Sequence, residues 1–86
     1  MKGFRVEAVN KQKPLWAETS IIHALTWRRD DLFIDKYVVT NISDEDLVIE
    51  EREFSNLGRN TRAISIRDHQ LKPAQTTVLY LFRSGS

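Results

Sequence analysis

The sequence predicts an all-β domain, a small antiparallel β-sandwich of immunoglobulin-like type with six to eight short strands. Apolar and polar residues alternate over short runs. Polar turns interrupt these runs every ~8–12 residues, the spacing typical of a small sandwich. The 86 residues include no cysteine, so the core has to form without disulfides. We expect a single domain over residues 1–83 and a C-terminal tail at residues 84–86.

The first half of the chain predicts a strand, a loop and a hairpin. Residues 4–9 alternate apolar and charged side chains, as in a half-buried strand. A polar loop is expected at residues 10–14. Residues 18–25 are ambiguous between helix and strand, and their β-branched content favours a strand. Residues 26–41 then predict a hairpin that turns at residues 28–31.

The second half of the chain predicts further strands of opposite charge. Residues 41–46 indicate a turn whose side chains bond the local backbone. Six acids and one base lie between residues 44 and 53, and three arginines without an acid lie between residues 59 and 67. We expect the strands in these two segments to pair across a solvated face. A central strand is expected at residues 76–82. The residues expected to face inward are Val6, Tyr37, Val39, Leu47, Ile49, Ile64, Ile66, Val78 and Tyr80.

Composition argues against several classes of function. The 13 basic and 12 acidic residues give a formal net charge of +1, which is no signature of a polyanion-binding protein. No apolar run approaches the ~20 residues that a membrane-spanning helix needs. The first residues lead directly into a strand pattern rather than a signal peptide. We expect the chain to be a domain of a longer protein whose beginning lies upstream.

Catalytic and metal-binding patterns are missing from the sequence. His23 and His69, the only histidines, lie 46 positions apart without the spacing of metal ligands. The acids of residues 44–53 lack the alternation and the glycine bend of a calcium loop. No paired acid and base supports a lyase or a hydrolase. We therefore expect no enzyme activity, no cofactor and no bound metal.

A nucleic-acid-binding small β-barrel is the alternative function. Small β-folds that bind single strands combine basic side chains with exposed aromatic rings. The nearby acids and the near-neutral net charge oppose this function. The residues that would serve it are Arg28, Arg29, Arg59, Arg62, Arg67, Trp27, Phe33 and Tyr37.

A series of short motifs runs in a specific order through most of the chain. The series is Gly3-Phe4-x-Val6, Trp27 before a turn, Leu32, Tyr37-x-Val39, Asn41, Leu47-x-Ile49-x-Glu51-x-Glu53-Phe54, Gly58, Thr61-Arg62-Ala63-Ile64, Leu79-Tyr80 and Arg83. Together these motifs resemble the C-terminal domain of TraK, a subunit of F-type conjugative type IV secretion systems.

The resemblance implies a structural role in the periplasm. Proteins of this family belong to an outer-membrane core complex, in which they form a ring with the lipoprotein TraV and the bridging protein TraB. It therefore implies a non-enzymatic subunit associated with the outer membrane. Its partners would be a TraV-like lipoprotein, a TraB-like bridging subunit and further copies of itself in a ring homo-oligomer. No small-molecule substrate and no nucleic acid is expected.

The predicted lipoprotein site lies around the first strand. We expect residues 4–8 at a sheet edge, because chain-terminal strands are often weakly tied down. Exposed apolar residues beside an open edge favour an extended peptide that adds a strand and fills pockets. Trp16 is the expected anchor, since aromatic residues often dominate interface energies. The predicted partner-binding residues are Phe4, Val6, Leu15, Trp16, Ile21 and Ile22.

Overall fold

A computed structural model describes residues 3–13 and 15–85 of the chain. Its elements are β1 (Arg5–Gln12), β2 (Thr19–Arg29), β3 (Leu32–Asn41), β4 (Leu47–Val48), a 3-10 helix (Glu51–Phe54), β5 (Thr61–Ile66), β6 (Gln70–Leu71) and β7 (Thr76–Ser84). Five strands form one antiparallel sheet in the order β1-β2-β3-β7-β5, and β4 pairs with β6 in a small second sheet. The predicted all-β fold, a small antiparallel β-sandwich, is confirmed.

The hydrophobic core lies between the five-stranded sheet and a thin layer formed by β4, β6 and the 3-10 helix. Leu79 and Leu81 alternate along β7 toward this layer, and both are 0% exposed. Phe54 from the 3-10 helix closes the core from the other side and is also 0% exposed. The core cluster consists of Ile21, Tyr37, Val39, Ile49, Phe54, Ile66, Leu71, Leu79 and Leu81.

The opposite face of the five-stranded sheet, here called the outer face, is also largely apolar. It carries residues that were expected to face inward: Val6 is 56% exposed, and Val78 and Tyr80 are half-buried. β7 has apolar residues on both faces, so its periodicity could not say which face the thin layer covers. The outer face consists of Val6, Ile22, Leu25, Trp27, Ile34, Lys36, Val38, Val78, Tyr80 and Phe82.

A hairpin joins β2 to β3, as predicted, and residues 18–25 lie mostly in strand β2. The chain reverses through Asp30 and Asp31, and Asp30 has a φ of 51°, a left-handed conformation that aspartate tolerates better than most residues. The register of β2 against β3 shifts between His23 and Leu25. Because of this bulge, the odd-numbered side chains of β2 that precede it point to one face of the sheet. The odd-numbered side chains that follow it point to the other face.

Strand β1 is longer than expected. Residues 10–12, predicted as part of a loop at residues 10–14, extend β1 instead, whereas Pro14 lies outside the described residues. The register against β2 shifts between Ala8 and Lys11, and Asn10 in this bulge has a φ of 52°. Polar residues can continue this strand because its side chains are exposed to solvent.

The strand predicted in the acidic segment is wrong beyond Val48. The chain forms the 3-10 helix at Glu51–Phe54 instead, and Glu53 accepts a hydrogen bond from the Glu50 backbone N–H at 2.8 Å. This capping arrangement satisfies an amide that a strand would have paired. The predicted pairing of the acidic segment with residues 62–67 is also wrong, because β5 pairs with β7.

Asn41 ties the end of β3 to the thin layer. Its side chain is 0% exposed, and its Nδ2 donates to the carbonyl oxygens of Glu45 at 2.7 Å and Leu71 at 3.0 Å. Its Oδ1 accepts from the backbone N–H of Ser43 at 2.9 Å. The predicted turn at residues 41–46 is therefore confirmed, and its asparagine also fixes β6.

Truncating a core leucine tests the assignment of the two faces. Leu81→Ala should lower the free energy of unfolding by about 2–5 kcal/mol, because it empties a fully buried site. Val48→Ala, at a side chain that is 66% exposed, is the control and should change it by less than about 0.5 kcal/mol. Urea denaturation followed by circular dichroism measures both. Equal losses in the two variants would contradict the described core.

Candidate partner-binding site

Strand β1 is an edge of the five-stranded sheet, as predicted. It pairs with β2 on one side, and no other described strand pairs with it. None of its eight residues is buried, so β1 is held mainly by its ladder with β2. Its second backbone edge therefore offers unpaired N–H and C=O groups to an incoming strand.

The six predicted site residues do not form one pocket. Val6 and Ile22 lie on the outer face, where they are 56% and 38% exposed. Phe4 precedes β1 at one end, with the Arg29 guanidinium 5.9 Å from its ring centroid. Trp16 lies beyond the other end of β1, next to the exposed Leu15.

Ile21 is a correction to the predicted site. It is 1% exposed and belongs to the core, so its side chain cannot contact a partner in this structure. Ile21 and Ile22 are consecutive residues of one strand and point to opposite faces. The sequence placed both at the surface because it did not reveal which face the thin layer covers.

Trp16 contributes to the protein's own packing. Its ring meets Phe54 edge-on, with centroids 5.2 Å apart and planes at 85°. It also lines a shallow groove with residues of β2, β4 and the 3-10 helix. The hydroxyl of Thr19, in the same groove, is buried without a hydrogen-bond partner among the described residues. Trp16 thus forms a half-buried wall of this groove, and part of its ring already packs against Phe54.

Leu25 and Trp27 are outer-face residues that the sequence analysis did not assign to the site. Trp27 lies opposite Val6 on the neighbouring strand, and its ring centroid is 6.3 Å from that of Tyr80. Both residues are half-buried, since the thin layer lies on the other side of the sheet. The bulge in β2 puts them on this face, and no signal in the sequence marked that bulge. They extend the apolar surface beside the edge of β1.

A buried ionic cluster lies on the inner face of the same sheet. The Asp35 carboxylate, 1% exposed, accepts hydrogen bonds from the Arg83 guanidinium and, at 2.7 Å, from the Thr26 hydroxyl. His23 Nε2 lies 3.3 Å from the same carboxylate, and its ring stacks on Tyr37 with centroids 4.6 Å apart. The cluster joins β2, β3 and β7 across the sheet.

The electrostatics of this cluster favour a structural role. Burial lowers the pKa of His23, although the nearby Asp35 opposes that shift. Burial also raises the pKa of Tyr37 to about 12. The hydrogen bonds to Asp35 raise the pKa of Arg83, so the ion pair persists. Gly58 packs over Arg83 so closely that an added Cβ would lie 2.6 Å from its Cδ. A covered, fully paired carboxylate stabilises the sheet and offers no reactive group.

The two histidines lie in different environments. His69 hydrogen-bonds Glu51 at 2.6 Å in an exposed position, and this bond holds the pKa of Glu51 below its ordinary value. His23 belongs to the buried cluster instead. Within residues 3–13 and 15–85, no three His, Cys, Asp or Glu side chains gather as metal ligands would.

The aromatic rings proposed for nucleic-acid stacking are scattered. Tyr37 is 2% exposed and cannot present its ring to a base. Trp27 lies on the outer face, whereas Phe33 lies on the inner face between Arg28 and Arg83. The structure therefore provides no row of rings along which successive bases could stack.

Comparison with known proteins identifies a family. The family model of the TraK C-terminal domain matches residues 1–83. The match extends from the start of the chain to Arg83 in β7 and includes both edges of the large sheet. No curated protein matches the chain.

Acid should weaken the fold through His23. Because burial lowers its pKa below the ordinary 6.5, the unfolded chain takes up the proton first as the pH falls. The contribution of His23 should therefore be complete above about pH 6.5 and decline below it. His23→Gln should flatten this part of the stability–pH curve, and the exposed His69→Gln is the control. Urea midpoints measured across this range would contradict the mechanism if His23→Gln kept the wild-type slope.

Breaking the buried ion pair should be costly. Asp35→Asn leaves the Arg83 guanidinium partly buried without its carboxylate, and should lower the free energy of unfolding by about 3–5 kcal/mol. Asp44→Asn, in the exposed turn after β3, removes the same charge and should change it by less than about 0.5 kcal/mol. Chemical denaturation of both variants measures the difference. A loss below about 1 kcal/mol for Asp35→Asn would show that the pair is dispensable.

Proposed function

Because the chain belongs to the TraK C-terminal domain family, we propose that it is a structural subunit of the outer-membrane core complex of a conjugative type IV secretion system. The family is one of conjugation-system components and is not a known enzyme family. The proposed location is the periplasm, with association to the outer membrane through partner proteins. No helix among the described residues is long and apolar enough to cross a bilayer.

The proposed activity is the binding of a small TraV-like outer-membrane lipoprotein. The observation that carries this proposal is the open edge of β1, a strand of eight residues without a buried side chain, beside the apolar outer face. An extended segment that paired with β1 would satisfy the free backbone groups. Its alternate side chains would then cover the exposed part of the outer face.

The residues proposed to contact the lipoprotein segment are arranged along the length of β1. Val6 and Ile22 would meet the segment on the outer face, together with Leu25 and Trp27. Eight strand residues span about 26 Å, so one extended segment can reach from one end of β1 to the other. The lipoprotein segment would contact the predicted anchor Trp16 after it leaves the sheet, beyond the far end of β1.

Specificity is provided by the features that protect β1 from indiscriminate pairing. Arg5, Glu7 and Lys11 are exposed charges on this edge, and the bulge between Ala8 and Lys11 interrupts its ladder. Charges and bulges of this kind discourage pairing with unrelated strands. We propose that the segment pairs along Arg5–Ala8 and carries charges that complement those of β1. A TraB-like bridging subunit and further copies in a ring complete the proposed assembly.

Titration with the lipoprotein segment tests this function. A peptide from the cognate lipoprotein, added to the ¹⁵N-labelled chain, should shift the amides of β1 and of the β2 residues paired with it. Val6→Asp puts a charge on the apolar contact and should weaken binding at least about tenfold. Ile42→Asp is the control, since Ile42 is 60% exposed but lies in the turn after β3. Shifts confined to β5 or to residues 46–54, with normal binding by Val6→Asp, would move the site to another edge.

Trp16 needs a separate measurement because it also packs on Phe54. Trp16→Ala should weaken peptide binding if the ring is the anchor, and should also lower the thermal midpoint. The thermal midpoint must therefore be measured beside the affinity. Unchanged affinity in a folded Trp16→Ala variant would remove this residue from the proposed site and leave the pairing along β1 intact.

A further inference from the structure

Two arginines face each other where β1 begins. Arg5 and Arg28 are directly opposite in the register of β1 and β2. Directly opposite side chains have Cβ atoms about 4.5–5.5 Å apart, and like charges at this position repel. Arg29 adjoins them in a polar depression, which Gly3 and Asp30 complete. Arg5 and Arg28 belong to the inner face and Arg29 to the outer face, and all three line this depression at the hairpin end of the sheet.

None of these three arginines forms an ion pair with a carboxylate of residues 3–13 or 15–85. The arginines that form ion pairs in the described part of the chain are Arg52, Arg67 and Arg83. Asp30 and Asp31 follow Arg29 in the chain, yet neither lies within ion-pair distance of an arginine. Within the described part of the chain no carboxylate relieves the repulsion between the opposite arginines, and the long acidic run lies beyond the other end of β3.

Aromatic rings hold two of these guanidinium groups in place. The Arg28 guanidinium lies 5.3 Å from the ring centroid of Phe33, and that of Arg29 lies 5.9 Å from the ring centroid of Phe4. A cation over an aromatic ring at this distance is attracted to the ring face, which restricts where the guanidinium can lie. The N–H groups along its edge stay free and match the two oxygens of a carboxylate. The site is thus partly ordered before any ligand binds.

We propose that Arg5, Arg28 and Arg29 bind the carboxylates of an acidic segment from another protein. The ligand is a protein segment because an adjoining depression, lined by Phe4 and Leu32 among others, can take an apolar side chain next to the acids. The site shares Arg5 with the proposed pairing along β1, but it requires no strand addition and no particular lipoprotein, and Arg28 and Arg29 belong to it alone.

A pair of short peptides tests the proposal on the whole 86-residue chain. The probes are an acetylated and amidated Leu-Glu-Glu-Leu-Glu peptide and its Leu-Gln-Gln-Leu-Gln counterpart. The acidic peptide should shift the arginine Nε–H signals of Arg5, Arg28 and Arg29 in NMR spectra, and its affinity should fall as salt is added. The neutral peptide should leave these signals unchanged.

Matched arginine variants locate the binding. Arg28→Gln should weaken binding of the acidic peptide at least about fivefold, the loss expected for one charge-assisted hydrogen bond. Arg5→Gln should also weaken binding of the acidic peptide. Because this substitution relieves the repulsion with Arg28, it should not lower the thermal midpoint, and an unchanged midpoint separates the loss of binding from a folding defect. Arg67→Gln removes an equal charge elsewhere and should change the affinity less than twofold.

Three results would overturn the proposal. Equal binding of the two peptides would exclude carboxylate recognition. If Arg67→Gln and Arg28→Gln weakened binding equally, the net charge of the chain alone would explain the attraction. Tighter binding of a thymidine oligonucleotide or of phosphatidylglycerol vesicles, at the same ionic strength, would assign the arginines to nucleic acid or membrane instead.

Discussion

The structure depends on one constraint, which is that a second layer of two short strands and one helical turn must cover a five-stranded sheet. The thin layer buries apolar residues on the middle of the inner face, where Leu79 and Leu81 meet Phe54. It is attached through Asn41, whose amide donates to the backbone carbonyls of Glu45 and Leu71. Burying an unsatisfied carbonyl is costly, so this side chain, together with the β4 ladder, holds β6 against the large sheet. The large sheet remains wider than the layer that covers it.

The parts of the sheet that β4, β6 and the 3-10 helix do not cover differ in chemistry. Toward the hairpin end, the inner face changes from leucines to the Asp35–Arg83 pair and then to stacked arginines. A buried ion pair is a weak substitute for apolar packing, but removing one partner leaves an uncompensated charge. The outer face stays apolar and half-exposed instead. Both regions lie next to β1, which has no buried residue of its own.

A scaffold subunit gains from this incomplete coverage. An edge strand with little packing keeps its backbone groups available, and an apolar face beside it supplies affinity to a segment that pairs there. The arginines at the hairpin end add a different type of recognition, because carboxylates are bound through geometry and charge. These two surfaces meet near Phe4, so one large partner or two small ones could occupy them together. The family assignment to a conjugation system is consistent with a domain that works through its surfaces.

The sequence by itself determined the local features. Alternation identified most strands of the large sheet, the polar residues 28–31 marked the hairpin turn, and the order of motifs identified the family. Faces could not be determined in this way, because β7 is apolar on both sides and a one-residue bulge in β2 reverses the orientation of every later side chain. Ile21 therefore moved from the predicted site into the core, and Trp27 lies on the outer face beside Val6. Only the tertiary structure decided these points, since burial of a face depends on which distant segment packs against it.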